Sequence, residues 1–163
     1  MNTTVEIRVT VNGEIVHRTI EARTHLVDFL RNELGLTGVH IGCEHGVCGA
    51  CTIRVDGQIV RGCLTLAAQV DGGLVETIEG LTERGDIEAL QQAFHERNAV
   101  QCGYCSSGML LTAAELIATR PQAGRAEIRE YMSGNYCRCT GYQSIIDAIE
   151  SVLRSKREGA GKP

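Results

Sequence analysis

One ten-residue stretch, Gly42 to Cys51 (GCEHGVCGAC), limits what this chain can fold into more than any other. It sets three cysteines among three glycines with a single bulky apolar side chain, Val47, so it cannot build a core of its own. Cys63 follows and completes a first set of four, with gaps of four, two and eleven residues. A second set consists of Cys102 and Cys105, two residues apart, and Cys137 and Cys139, one residue apart. Eight cysteines in 163 residues call for disulfide, metal or redox chemistry. The opening MNTTVEIRVTVNGE has no basic segment leading into an apolar one, so no secretory leader is expected. The expected location is therefore cytoplasmic, where structural disulfides are disfavoured and metal binding is the default.

Composition narrows the class further. A hydrophobic share of 43% is enough for ordinary cores, in one medium domain or two small ones. A net charge of −4 with no long basic run argues against nucleic acid as a partner. No stretch approaches the roughly 18 uninterrupted apolar residues of a membrane span.

Two textures divide the chain. In the first, Val5, Ile7, Val9 and Val11 alternate with polar residues, Asn12-Gly13 marks a tight turn, and EIVHRTI returns as the partner strand of a hairpin. Thr24 reads as the N-cap of a helix with Leu26, Val27, Leu30 and Leu34 on one face, stopped by Gly35. After the cysteine loop, CTIRVDGQIV reads as a hairpin turning at Asp56-Gly57, and LVETIEGL supplies a further short strand. Beyond residue 80 the apolar period changes from two to 3.6. DIEALQQAFHERNA, GMLLTAAELIATR, AEIREYM and SIIDAIESVL then read as four helices of a small bundle, the second of them buried. The predicted class is α+β, with an N-terminal domain over 1–80 and a helical domain over 81–163. The polar EGLTERGD is the boundary between them, and RSKREGAGKP is a frayed, solvated tail.

Four thiolates per half match either tetrahedral zinc or a [2Fe-2S] cluster. Gaps of four then two are the plant-type ferredoxin spacing, far more specific than one C-x2-C pair. Structural zinc would pair C-x2-C with a second such motif or with two close histidines. A Rieske site needs two histidines, and Cys43-Glu44-His45 offers one. Gly42, Gly46 and Gly49 would let the backbone wrap closely, take positive φ and aim its N–H groups at sulfur. Such N–H groups favour the reduced, more negative cluster.

These motifs, GCEHGVCGACTIRVDG with RGCLTLA and then QCGYCSSGM with NYCRCTGY, resemble the small iron-sulfur subunit of the molybdenum hydroxylases, the xanthine oxidase and aldehyde oxidoreductase family. The likeness runs from about residue 3 to about residue 155, and the second pair of motifs has no counterpart in plant ferredoxins. It implies a β-grasp ferredoxin-like [2Fe-2S] domain followed by a four-helix-bundle [2Fe-2S] domain. It also implies a large subunit carrying molybdopterin, expected as the cytosine dinucleotide, and a medium subunit carrying FAD. The assembly would be a heterotrimer or a dimer of heterotrimers, with electrons passing singly from molybdenum through the proximal and then the distal cluster to flavin. Cys102, Cys105, Cys137 and Cys139 would hold the proximal cluster, and Cys43, Cys48, Cys51 and Cys63 the distal one. Gln101 and Cys139 would contact the pterin, and no catalytic residue or substrate site is expected on this chain.

The chain has neither a G-x-G-x-x-G nor a G-x4-G-K-[ST] phosphate loop, which fits a carrier of electrons. It departs from the family pattern at Ser106-Ser107-Gly108, where Thr-Pro-Gly is usual; a serine is expected to cap the helix in place of the proline. His45 reads as a solvent-facing loop residue, His40 as a loop residue, His95 as part of a polar helix face, and Met109 as core. Tyr104 and Tyr142 are expected to pack, and Arg138 to balance charge. Two other classes stay open on sequence alone: a free-standing 2Fe-2S carrier and a structural module with two zinc sites.

Overall fold

In the computed structural model, which describes residues 3–160, the alternating N-terminal residues form a hairpin of β1 (Thr4–Val11) and β2 (Glu14–Glu21). Asn12 (φ 51°) and Gly13 (φ 92°) turn it, both in the left-handed region that the twist of a two-residue turn requires. A second hairpin, β3 (Thr52–Val55) and β4 (Gln58–Arg61), turns in the same way at Asp56 (φ 48°) and Gly57 (φ 82°). The short β5 (Leu74–Glu76) joins them, parallel to β1 and antiparallel to β3, in the order β2-β1-β5-β3-β4. Ile7, Val9, Val11, Ile53 and Val75 line one face of this β-grasp sheet and bury Leu26, Val27, Phe29 and Leu30.

Those four residues belong to the helix between β2 and β3, which departs from expectation at its start. Its first turn, α1 (Leu26–Asp28), has His25 as N-cap, and a wider π-type turn continues it over Phe29–Glu33. The Thr24 carbonyl accepts instead from the N–H of Ala67, so tertiary pairing takes the position that the sequence assigned to a cap. Gly35 does end the helix, at φ 71°.

A separate core gathers five helices: α2 (Ile78–Glu83), α3 (Glu88–Glu96), α4 (Ser106–Thr119), α5 (Arg125–Met132) and α6 (Gln143–Ala160). The last four are the expected bundle, with Met109, Leu111, Leu116, Ile128 and Ile149 at its centre and α4 the most buried helix. Two segments read as polar connections are helical. The presumed boundary EGLTERGD contributes to α2, whose Leu81 enters the second core. Most of the expected frayed tail continues α6 to Ala160, with Arg157 donating to the Pro121 and Ala123 carbonyls at 3.1 and 2.9 Å. Residues 161–163 of that tail lie outside the described residues. Among the described residues no helix is long and apolar enough to cross a membrane.

The two halves meet along α4, which lies against β3 and β4. A Cβ on Gly108 would run into the Gly49 carbonyl oxygen, so glycine is what lets the helix rest directly on the first cysteine loop.

Candidate metal centres

The first cysteine loop wraps sulfur with backbone. Gly46 (φ 77°) and Gly49 (φ 74°) take left-handed conformations, and so does Glu44 (φ 57°). Gly42 serves differently from the expectation: it is not in that region, and a Cβ there would lie 3.0 Å from Cys48 Sγ. The N–H groups of Cys48 and His45 donate to Cys43 Sγ at 3.3 and 3.4 Å. These two bonds, Cys48 first, bring the Cys43 thiol down to about 6. Cys43 contacts Cys48, and Cys51 contacts Cys63. Cys51 and Cys63 are buried, and burial pushes the Cys51 thiol up to about 11.

The second site forms where the start of α4 meets the loop between α5 and α6. Cys102 and Cys139 lie 3.6 Å apart, Sγ to Sγ, and both are exposed. Cys105 contacts Cys137 behind them, and burial pushes the Cys105 thiol up to about 12. Cys137 is also buried, which alone would raise it. The Thr140 hydroxyl and N–H donate to its sulfur at 3.1 and 3.4 Å and bring it below the ordinary value. The Cys102 thiol holds Cys139 above its usual value.

Each site thus presents two pairs of thiols: Cys43 with Cys48 and Cys51 with Cys63, then Cys102 with Cys139 and Cys105 with Cys137. Two pairs, each able to grip one of two irons, fit a [2Fe-2S] cluster, and N–H donors on sulfur suit its negative charge. Among the described residues no group of three or more His, Cys, Asp or Glu side chains is arranged to hold a single ion. The raised thiols at Cys51 and Cys105 show what assembly must do, since metal ligation displaces their protons.

The other predicted residues fall in several places. His45 and His95 are exposed and Met109 is buried, as read from the sequence; Gln101 is exposed beside Cys102, and Arg138 is exposed between Cys137 and Cys139. Tyr104 and Tyr142 are 50% and 37% exposed; Tyr104 packs by stacking on His40, and both tyrosines also bond through their hydroxyls. Tyr104 donates to the Ile41 carbonyl at 2.6 Å, and the Cys137 N–H donates to the Tyr142 oxygen at 3.0 Å. His40 is more than a loop residue, stacking on Tyr104 with ring centres 4.5 Å apart. Neither serine caps α4. Ser107 is buried with its hydroxyl 3.4 Å from His40 Nδ1, so the position usual for proline joins the two halves instead.

Three residues of consequence escaped the sequence reading. The Tyr136 N–H donates to the Cys48 carbonyl at 2.8 Å, directly linking the two cysteine loops. Asn135, 1% exposed, and Arg61 bind both loops. The one sequence signal was the polar Gly134-Asn135 beside a cysteine pair, which says nothing about its partners.

Comparison with known proteins finds a [2Fe-2S] domain family over each half of the chain. Residues 9–75 match the 2Fe-2S iron-sulfur cluster binding domain family, and residues 77–150 match the [2Fe-2S] binding domain family. Caffeine dehydrogenase subunit gamma of Pseudomonas sp. (strain CBB1) is 53% identical over 149 residues, covering 90% of this chain and 89% of that one. The nicotine 6-hydroxylase small subunit of Paenarthrobacter nicotinovorans is 52% identical over 145 residues, covering 89% and 87%. Among solved structures, a chain of quinoline 2-oxidoreductase from Pseudomonas putida 86 superposes with a TM-score of 0.89 at 48% identity, covering 98% of this chain and 99% of that one.

Proposed function

Because the chain belongs to the family of small iron-sulfur subunits of the molybdenum hydroxylases, we propose that it is the two-cluster relay of such a complex, passing single electrons from a molybdenum-pterin site on a large subunit to FAD on a medium one. The bound clusters would supply one-electron redox chemistry, which divides a two-electron oxidation into steps. The division near residue 80 then separates a domain holding the distal cluster, on Cys43, Cys48, Cys51 and Cys63, from one holding the proximal cluster, on Cys102, Cys105, Cys137 and Cys139.

One observation carries the relay reading: the Tyr136 N–H, one residue before Cys137, donates to the carbonyl of Cys48 at 2.8 Å. The ligand loops are thereby joined through a few covalent bonds and a single hydrogen bond. Electron tunnelling falls steeply with distance and passes better along bonds than across gaps, so this contact favours transfer between the sites within one chain.

The exposed surface supports a partner at each end. Cys102 and Cys139 are exposed beside Gln101, with Val100, Tyr136 and Tyr142 also exposed, as a face for the large subunit and its pterin requires. Val47 and Leu64 are exposed against the first loop, at the end assigned to the flavin subunit. The assembly is a heterotrimer or its dimer, and eight cysteines read as cluster ligands, with none paired as a disulfide among the described residues, suit a cytoplasmic setting.

The test is Cys43→Ser in the assembled complex, followed by rapid kinetics. Substrate should still reduce the molybdenum site while flavin reduction stops; flavin reduction at the wild-type rate would refute the assignment of the first site to the distal position.

A further inference from the structure

Between the two cysteine sites lies a cation that neither ligand set explains. Arg61 ends β4, two residues before Cys63. Its Nη1 donates to the hydroxyl of Thr52, the residue after Cys51. Its Nη2 donates to the Gly134 carbonyl at 2.7 Å and lies 3.5 Å from Asn135 Oδ1, in the loop that leads into Cys137. A Cβ on Gly134 would stand 2.9 Å from Nη2, so that loop is glycine where the guanidinium arrives.

Every partner of this guanidinium is a neutral oxygen. Among the described residues no ion pair includes Arg61, although Arg23, Arg54, Arg84, Arg120 and Arg125 all have carboxylate partners. Holding a partly buried cation without a counter-charge is costly unless something nearby is negative. Four thiolates around two irons and two sulfides carry net negative charge, and reduction adds to it. Arg61 has one such site on each side, and an arginine keeps its charge across the working pH range.

We propose that Arg61 is the positioning residue that tunes the relay electrostatically, a fixed cation that favours the reduced state of both clusters at once. The proposal rests on the two-cluster reading given above. It assigns to one side chain both an offset of two anionic sites and the lessening of repulsion when each holds an electron. A merely structural clamp between the halves would need the hydrogen bonds but not the charge, and that distinction decides the test.

The experiment compares Arg61→Gln, Arg61→Lys and wild type as full chains, in redox titrations followed by electron paramagnetic resonance. Iron and sulfide content is measured first, and the magnetic coupling between the reduced clusters serves as the check on geometry. Arg61→Gln should lower the midpoint potentials of both clusters with the coupling unchanged, and Arg61→Lys should stay near wild type. Arg61→Met gives the same comparison if Arg61→Gln does not take up iron. Potentials unmoved in the neutral variants, or a lysine variant that falls as far as the glutamine one, would overturn the proposal. A wild-type chain without sulfide would instead overturn the cluster reading beneath it.

Discussion

Replacing Asn135 with alanine should loosen the joint between the two halves by an amount that can be worked out bond by bond. The side chain is 1% exposed. Its Nδ2 donates to the Gly49 carbonyl at 3.1 Å and to Thr52 Oγ1 at 3.3 Å, and its Oδ1 accepts from Thr112 Oγ1 at 3.0 Å. These three hydrogen bonds of 3.3 Å or less, at about 1 kcal/mol net each, give a loss of about 3 kcal/mol, to which the long 3.5 Å contact of Arg61 Nη2 with Oδ1 adds little. A further desolvation penalty is avoided, because the abandoned groups keep other partners. Gly49 O still accepts from the Thr52 hydroxyl at 2.7 Å, and the one Thr112 hydroxyl proton, shared between Asn135 Oδ1 and Gly108 O, passes wholly to Gly108 O at 2.9 Å. At roughly 2–4 °C per kcal/mol for a chain of this size, Tm should fall by about 6–12 °C. Thr112→Val removes one of the three bonds together with the Thr112 bond to Gly108 O, and should cost about 1–2 kcal/mol, less than Asn135→Ala. Calorimetry on iron-loaded protein at one fixed scan rate measures both, since metalloprotein unfolding depends on rate. A fall below about 3 °C for Asn135→Ala, or an equal fall for Thr112→Val, would refute the bond-by-bond reasoning.

Other perturbations follow from the same joint. Gly108→Ala drives a methyl group into the Gly49 carbonyl, so it should cost at least the 1–3 kcal/mol typical of overpacking and reduce iron content. Gly159→Ala, with open space at its Cβ on the exposed end of α6, should leave both unchanged or improve stability slightly; iron loading by Gly108→Ala equal to that of Gly159→Ala would contradict the close-approach argument. Burial, then the nearby Arg31 cation, hold the His40 imidazole below its usual 6.5. The unfolded chain therefore binds the proton more readily, and this contribution to stability is lost as pH falls through that value. The stability gap between wild type and His40→Gln should narrow from about pH 7.5 to about pH 5.5, and a constant or widening gap in denaturant melts would count against it.

Local signals were legible and long-range ones were not. Asn12-Gly13 and Asp56-Gly57 announced their hairpins because positive φ at two successive residues is a local demand. The cysteine spacings pointed to two sites because ligands within one loop are constrained by the loop itself. Thr24 misled because its carbonyl is taken by Ala67, over forty residues away in sequence. Gly80 helped EGLTERGD read as a polar boundary and LVETIEGL as a strand throughout, yet a Cβ on Gly80 would collide with the Asn12 side chain, so the glycine serves the close packing of α2 on the first hairpin turn. The end of α6 looked like a solvated tail because the carbonyls that hold Arg157 belong to the loop after α4. The contacts between the sites, through Arg61, Asn135 and Tyr136, depend on how two domains dock, and no periodicity within either one reports that.

Iron, acid-labile sulfide and zinc per chain, measured on anaerobically purified protein with visible spectra before and after dithionite, test the central claim most directly. The account predicts about four irons and four sulfides per chain, in two [2Fe-2S] clusters that bleach on reduction. Zinc in both sites with no sulfide, in a colourless preparation, would contradict it.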